Sequence, residues 1–118
     1  MKILFLMPSR ARGGCEEFAL TAARAALQRK QEVVLAFPNL PETQSLIDDC
    51  KKAGIDYVPL RQRNTSSPLR LLTLFLLALN FASALRLFLR INPDSIHLSL
   101  PWPTMGYEMI IAAAWLRI

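Results

Sequence analysis

Lys2-Ile3-Leu4-Phe5-Leu6-Met7-Pro8-Ser9, followed directly by Arg10-Ala11-Arg12-Gly13-Gly14-Cys15-Glu16, is the stretch that decides the fold. Residues 3–7 form a continuous apolar run, the pattern of a strand covered on both faces, and Pro8-Ser9 closes it. Residues 15–30 are rich in Ala, Leu, Arg, Glu and Gln, with Phe18, Ala22, Ala25 or Ala26 and Leu27 at helical spacing. Glu16 and Glu17 in the first turn and Arg29-Lys30 in the last suit the dipole of that helix. The glycine pair between strand and helix has two readings. It brings backbone N–H groups close to a ligand at the positive end of the helix, a phosphate-type site to which Arg10 and Arg12 add charge. Alternatively it only permits a tight strand-to-helix turn.

The pattern then repeats along the chain. Residues 32–37 read as a second buried strand ended by Pro38-Asn39-Leu40-Pro41, and residues 43–53 as a short helix capped at Gly54. Residues 55–60 are a third strand, 61–67 a polar loop, and Pro68 stands where a helix favours proline. A long leucine-rich helix covers 69–91, a fourth strand 94–99, a rigid turn Pro101-Trp102-Pro103, and a last helix 105–116. Strand and helix alternating four times with short connections predicts an α/β fold: a Rossmann-like parallel sheet with helices on both faces, in one domain.

At 118 residues and 53% hydrophobic the chain buries a core, and disorder is excluded. The net charge of +5 is dispersed: residues 1–30 carry six basic against two acidic residues, 31–67 four against five, and 68–118 four against two. Such scatter suits small anionic ligands or a lipid surface and argues against nucleic acid. Cys15 and Cys50 belong to no C-x-x-C or Cys/His cluster, so neither a metal nor a disulfide framework is expected, and the cytoplasm is the natural setting. The N-terminal apolar run is too short for the h-region of a signal peptide.

Residues 71–85 contain no charged residue. Fifteen residues fall short of the roughly 20 needed to span a bilayer, so the segment is read as a core helix with a few exposed leucines. A membrane-surface role for it, flanked by Arg70, Arg86 and Arg90, is the alternative.

Neither G-x-G-x-x-G nor G-x-x-x-x-G-K-[ST] is present, which removes most support for a dinucleotide dehydrogenase or a P-loop NTPase. What stands in order is residues 2–9, Gly13-Gly14-Cys15-Glu16, Glu32-Val33-Val34-Leu35, Ala53-Gly54-Ile55 into Val58-Pro59-Leu60, and Asn92-Pro93-Asp94-Ser95-Ile96-His97-Leu98. Across essentially its whole length the chain resembles the N-terminal domain of a GT-B glycosyltransferase of family 4. The resemblance implies a retaining transfer of a sugar from a nucleotide-sugar donor to a glycan or lipid-linked acceptor, without cofactor or metal, in the cytoplasm or peripherally at the inner membrane face. It places Gly13 and Gly14 as backbone donors in the cleft, with Arg10, Arg12 and Cys15 beside them, and Glu16 serving the helix terminus.

In that family the fourth strand often ends His-x-His; here it is His97-Leu98-Ser99. His97 is therefore read first as a hydrogen-bonded core histidine and second as an acceptor-side residue. Ser99, Trp102 and Thr104, at the carboxyl end of that strand, are further cleft residues. The chain stops at Arg117-Ile118, where the resemblance implies another strand and a second domain, so residues 1–118 are expected to be a truncated piece, inactive unaided. The competing readings are a non-catalytic Rossmann-like nucleotide-binding module and a membrane-surface interaction module.

Overall fold

The computed structural model describes residues 1–8, 12–61, 68–99 and 107–118. Strands β1 (Lys2–Leu6), β2 (Glu32–Phe37), β3 (Asp56–Pro59) and β4 (Ser95–Leu98) alternate with helices α1 (Gly14–Gln28), α2 (Gln44–Ala53), α3 (Arg70–Ile91) and α4 (Tyr107–Trp115). The strands form one parallel sheet in the order β3-β2-β1-β4. From β1 the chain steps outward to β2 and β3, then α3 carries it back past β1 to β4. Right-handed crossovers running in opposite directions must cover opposite faces. Accordingly, α1 and α2 pack over Phe5, Val33, Leu35 and Phe37, whereas α3 and α4 pack over Leu4, Leu6, Val34 and Ala36. This is the expected Rossmann-like arrangement, and both central strands are buried on both faces, as their unbroken apolar runs require.

Local chemistry sets the element ends. Gly54 closes α2 in the left-handed region at φ 73°, with its N–H on Lys51 O and the Ile55 N–H on Cys50 O, the paired bonds of a Schellman motif. The start of β1 is fixed by Asp94, whose carboxylate accepts from Lys2 N–H at 2.7 Å while its own N–H donates to Lys2 O. Cys50 is buried, and burial pushes its thiol up to about 11; Cys15 is exposed, and no disulfide joins the two.

Two expectations need correction. The buried face of α1 is Glu16, Ala19, Leu20 and Ala23, an i, i+3, i+4, i+7 series, so Phe18 falls off the core stripe and is 62% exposed. Its helix also stops at Gln28, with Arg29 as the cap and Lys30 just beyond it at φ 60°.

The second correction concerns α3. Twenty-two residues rise about 33 Å, whereas strands of four to six residues cover roughly 13–20 Å, so the helix must overhang the sheet. Its buried residues, Asn80, Ala84, Leu87, Phe88 and Ile91, all lie from the middle of the helix onward. Residues 70–79 include none. Leu71, Leu74 and Phe75 are 83%, 63% and 58% exposed, and Leu72 is exposed beside them. This is a continuous apolar half-helix, not a few exposed leucines. By length and composition alone, with mean hydropathy 1.9, α3 is also long and apolar enough to cross a membrane, contrary to the count of its uncharged run. Its second half, however, closes the core, and moving it into lipid would uncover Leu4, Leu6 and Phe88.

Where α3 meets α4, Asn80 Nδ2 donates to Glu108 Oε1 at 3.4 Å, both side chains being buried. Pairing offsets part of the cost of burying these polar groups and sets how α4 sits on α3.

Candidate functional site

Strand order reverses between β1 and β4, and in open α/β sheets the crevice at the carboxyl ends of such a pair is where ligands bind. Two candidate segments that are far apart in sequence meet at this end. Met7 N–H extends the β1–β2 ladder to Ala36 O at 2.9 Å, and Ser99 N–H extends the β4–β1 ladder to Leu6 O at 3.0 Å. The turn into α1 leaves from beside them. Arg10, Trp102 and Thr104 lie outside the described residues.

Neither glycine of the turn is held by backbone conformation. Gly13 is the N-cap of α1 in an extended conformation at φ −152°, and Gly54 is the one described glycine with positive φ. Among the described residues a Cβ on Gly14 would meet nothing within 4 Å; on Gly13 it would sit 3.3 Å from Glu16 Oε2. Among the described residues nothing demands glycine at 14, and none of them crowds the backbone there.

The charges at this turn differ from expectation. Gly13 N–H donates to Glu16 Oε2 at 2.7 Å, half of a capping box, and the Glu16 side chain is buried in the first turn of α1. One of the two expected backbone donors is thus already taken, and a carboxylate occupies the positive end of the helix. Gly14 N–H has no acceptor among the described residues. Glu16 serves the helix terminus, as expected.

Arg12 is not a free cation at the mouth. Its Nε donates to Glu17 Oε1, its Nη2 to Asp49 Oδ2 at 2.5 Å, and its Nη1 to Ser45 Oγ at 3.2 Å. It ties the first turn of α1 to α2. These bonds keep the guanidinium protonated, and the hydrogen bond from Arg12 holds the Asp49 carboxyl below its ordinary range. Because the folded pKa lies below the unfolded one, the stabilisation is complete at neutral pH and fades as pH falls through about 4 toward the folded value. Replacing Asp49 by Asn should lower the melting temperature by a few degrees at pH 7 and by less at pH 3, read from thermal melts by circular dichroism across that range.

His97 is not a core histidine. It stands on the outer edge strand, exposed, opposite Phe5 in the parallel register. Its ring lies 5.1 Å from that of Phe5 and 6.2 Å from that of Phe18, on the face covered by α1. The exposure of Phe18 thus has a partner: the two rings form an open aromatic edge beside β4. Cys15 is exposed at the second position of α1, and Ser99 is half-buried at the end of β4. Among the described residues, no group of three or more His, Cys, Asp or Glu side chains is placed to hold a metal. Sequence reading missed the partners of Arg12, which lie up to 37 positions away, and a groove between β3 and α3 whose only sequence signal is the i, i+4 spacing of Arg86 and Arg90.

No family model and no curated protein matches the chain. Solved structures do. A glycosyltransferase from Rickettsia africae superposes with a TM-score of 0.70 at 17% identity, covering 97% of this chain and 27% of that one. MurG from Acinetobacter baumannii matches at 0.70 and 18%, covering 99% and 33%. A UGT transferase from Siraitia grosvenorii, solved with UDP, matches at 0.57 and 18%, covering 100% and 26%. The chain spans a third or less of the length of these neighbours. In fold, then, the chain corresponds to one portion of a GT-B glycosyltransferase.

Proposed function

We propose that this chain is the N-terminal, acceptor-side part of a retaining glycosyltransferase of family 4, moving a sugar from a nucleotide-sugar donor to a glycan or lipid-linked acceptor. The observation that carries the reading is the open backbone at Gly14, set at the carboxyl end of β1 where strand order reverses. A glycine that no described residue crowds suits close approach of a substrate to the main chain. The UDP held by the Siraitia neighbour belongs to that protein; it supports a nucleotide-linked donor here by likeness of fold.

With Arg12 tied to α2 and Glu16 seated at the helix end, the described part of this turn, residues 12–16, contributes shape and the Gly14 N–H rather than charge. Stabilisation of the departing diphosphate then falls to groups outside the described turn, and the chain by itself turns over no substrate. Ser99 and the exposed His97 flank the same crevice from β4. The cytoplasm, at the inner membrane face, is where a lipid-linked acceptor would be met, and the exposed half of α3 supports the contact with lipid.

The test is Gly14→Val in the protein as its host produces it. Since the added Cβ meets none of the described residues, folding should be unchanged by thermal melt while sugar transfer falls about tenfold from misplaced substrate. An unchanged transfer rate would remove the turn from the site.

A further inference from the structure

A groove of about 580 Å³ runs between the carboxyl end of β3 and α3, lined by Leu60 and Arg61 on one side and Leu79, Ser83, Arg86 and Arg90 on the other. It lies against β3, two strands away from β1, on the face that α3 covers and α1 does not. It is therefore separate from the crevice at Gly14. Its volume falls within the range of roughly 300–1,000 Å³ typical of small-molecule sites.

Three arginines line this groove, Arg61 just beyond β3 and Arg86 and Arg90 from α3, and no acidic residue lines it among the described residues. Among the described residues, Arg12 is the arginine engaged in ion pairs; Arg61, Arg86 and Arg90 are in none. Like charges gathered without a counter-charge repel one another, and an anion relieves that repulsion; the planar donors of arginine match phosphate oxygens in pairs.

The stripe that carries two of these arginines has a second character at its other end. Leu72, Phe75, Leu79, Ser83, Arg86 and Arg90 follow one another at spacings of three or four, so they share one side of α3. The side begins apolar and exposed on the overhang and ends cationic in the groove. A bare phosphate would use only the cationic end.

We propose that this groove binds the phosphate of an amphiphile, with Arg61, Arg86 and Arg90 holding the phosphate and Leu79, Phe75 and Leu72 carrying the apolar body. The site is a discrete one-to-one site rather than a diffuse attraction between a basic protein and an anionic surface. It does not depend on the sugar-transfer reading, and a soluble probe separates it from membrane contact.

The experiment is calorimetry of the chain with dihexanoyl phosphatidic acid below its micellar concentration, set against dihexanoyl phosphatidylcholine and glycerol 3-phosphate. One-to-one binding of the phosphatidic acid is expected, at least tenfold tighter than either comparison ligand. The exposed triple change R61Q/R86Q/R90Q should weaken it at least tenfold with an unchanged thermal melt. The change R29Q/K51Q/K52Q, which removes equal charge elsewhere, should alter it less than twofold. The proposal is overturned if phosphatidylcholine or glycerol 3-phosphate binds as tightly as phosphatidic acid, or if the two triple changes weaken binding equally.

Discussion

Phe88→Ala should destabilise the fold by about 3–5 kcal/mol, the usual cost of truncating a fully buried phenylalanine and leaving a cavity. Phe88 is closed off from solvent in the cluster that joins α3 and α4 to Leu4, Leu6 and Ala36. Since residues 70–79 contribute no buried side chain, the whole attachment of α3 to the sheet rests on residues 80–91, and Phe88 is the largest fully buried side chain there. Urea unfolding followed by circular dichroism reads the loss as a lowered midpoint at unchanged slope. Phe18→Ala is the control. An aromatic of the same size, exposed on α1, should cost within about 0.5 kcal/mol, as substitutions away from the core do.

The other half of the same helix should behave in the opposite way. Changing Leu71, Leu74 and Phe75 together to Ser should leave stability nearly unaltered, because these side chains face solvent in the folded chain. Vesicle binding should fall about a hundredfold. Full transfer of a leucine or phenylalanine side chain out of water is worth roughly 1.5–3 kcal/mol, so even partial immersion of three of them supplies the few kcal/mol that a hundredfold change represents. Sedimentation with phosphatidylcholine–phosphatidylglycerol vesicles measures it. Equal binding by the triple variant would mean that the overhang does not meet lipid.

These contrasting halves show where sequence reasoning stops. Hydropathy marks α3 as one uniform leucine-rich element, and only its placement on short strands divides it into an anchor and an overhang. By contrast β1 and β2 are legible almost to the residue, because strands buried on both faces need unbroken apolar runs and this chain supplies them at 3–7 and 33–37. Alternation of strand and helix is enough to predict a parallel sheet. Gly54 is legible as a helix end for a similar reason, since a left-handed cap favours that residue above others.

The site was less legible because its properties depend on pairs distant in sequence. Arg12 reads as a free cation until Asp49 and Ser45 of α2 are brought against it. His97, at the end of a strand, reads as a hydrogen-bonded core histidine, and it is exposed because strand order leaves β4 on the edge. Phe18 follows the same logic: helical spacing alone allowed two overlapping stripes, and the sheet selected the one through Ala19, Leu20 and Ala23. What the chain spells out locally is the open turn at Gly13-Gly14, and there the structure sharpens the reading from two donors to one.

The central claim, sugar transfer, is tested most directly by incubating the protein, as its host produces it, with host membranes and a panel of nucleotide sugars. Released nucleoside diphosphate and the mass of the acceptor are followed together. The account predicts one donor for which diphosphate release matches acceptor gain of a single sugar. No transfer from any donor, together with tight nucleotide binding by this chain alone, would contradict it and identify a binding module instead.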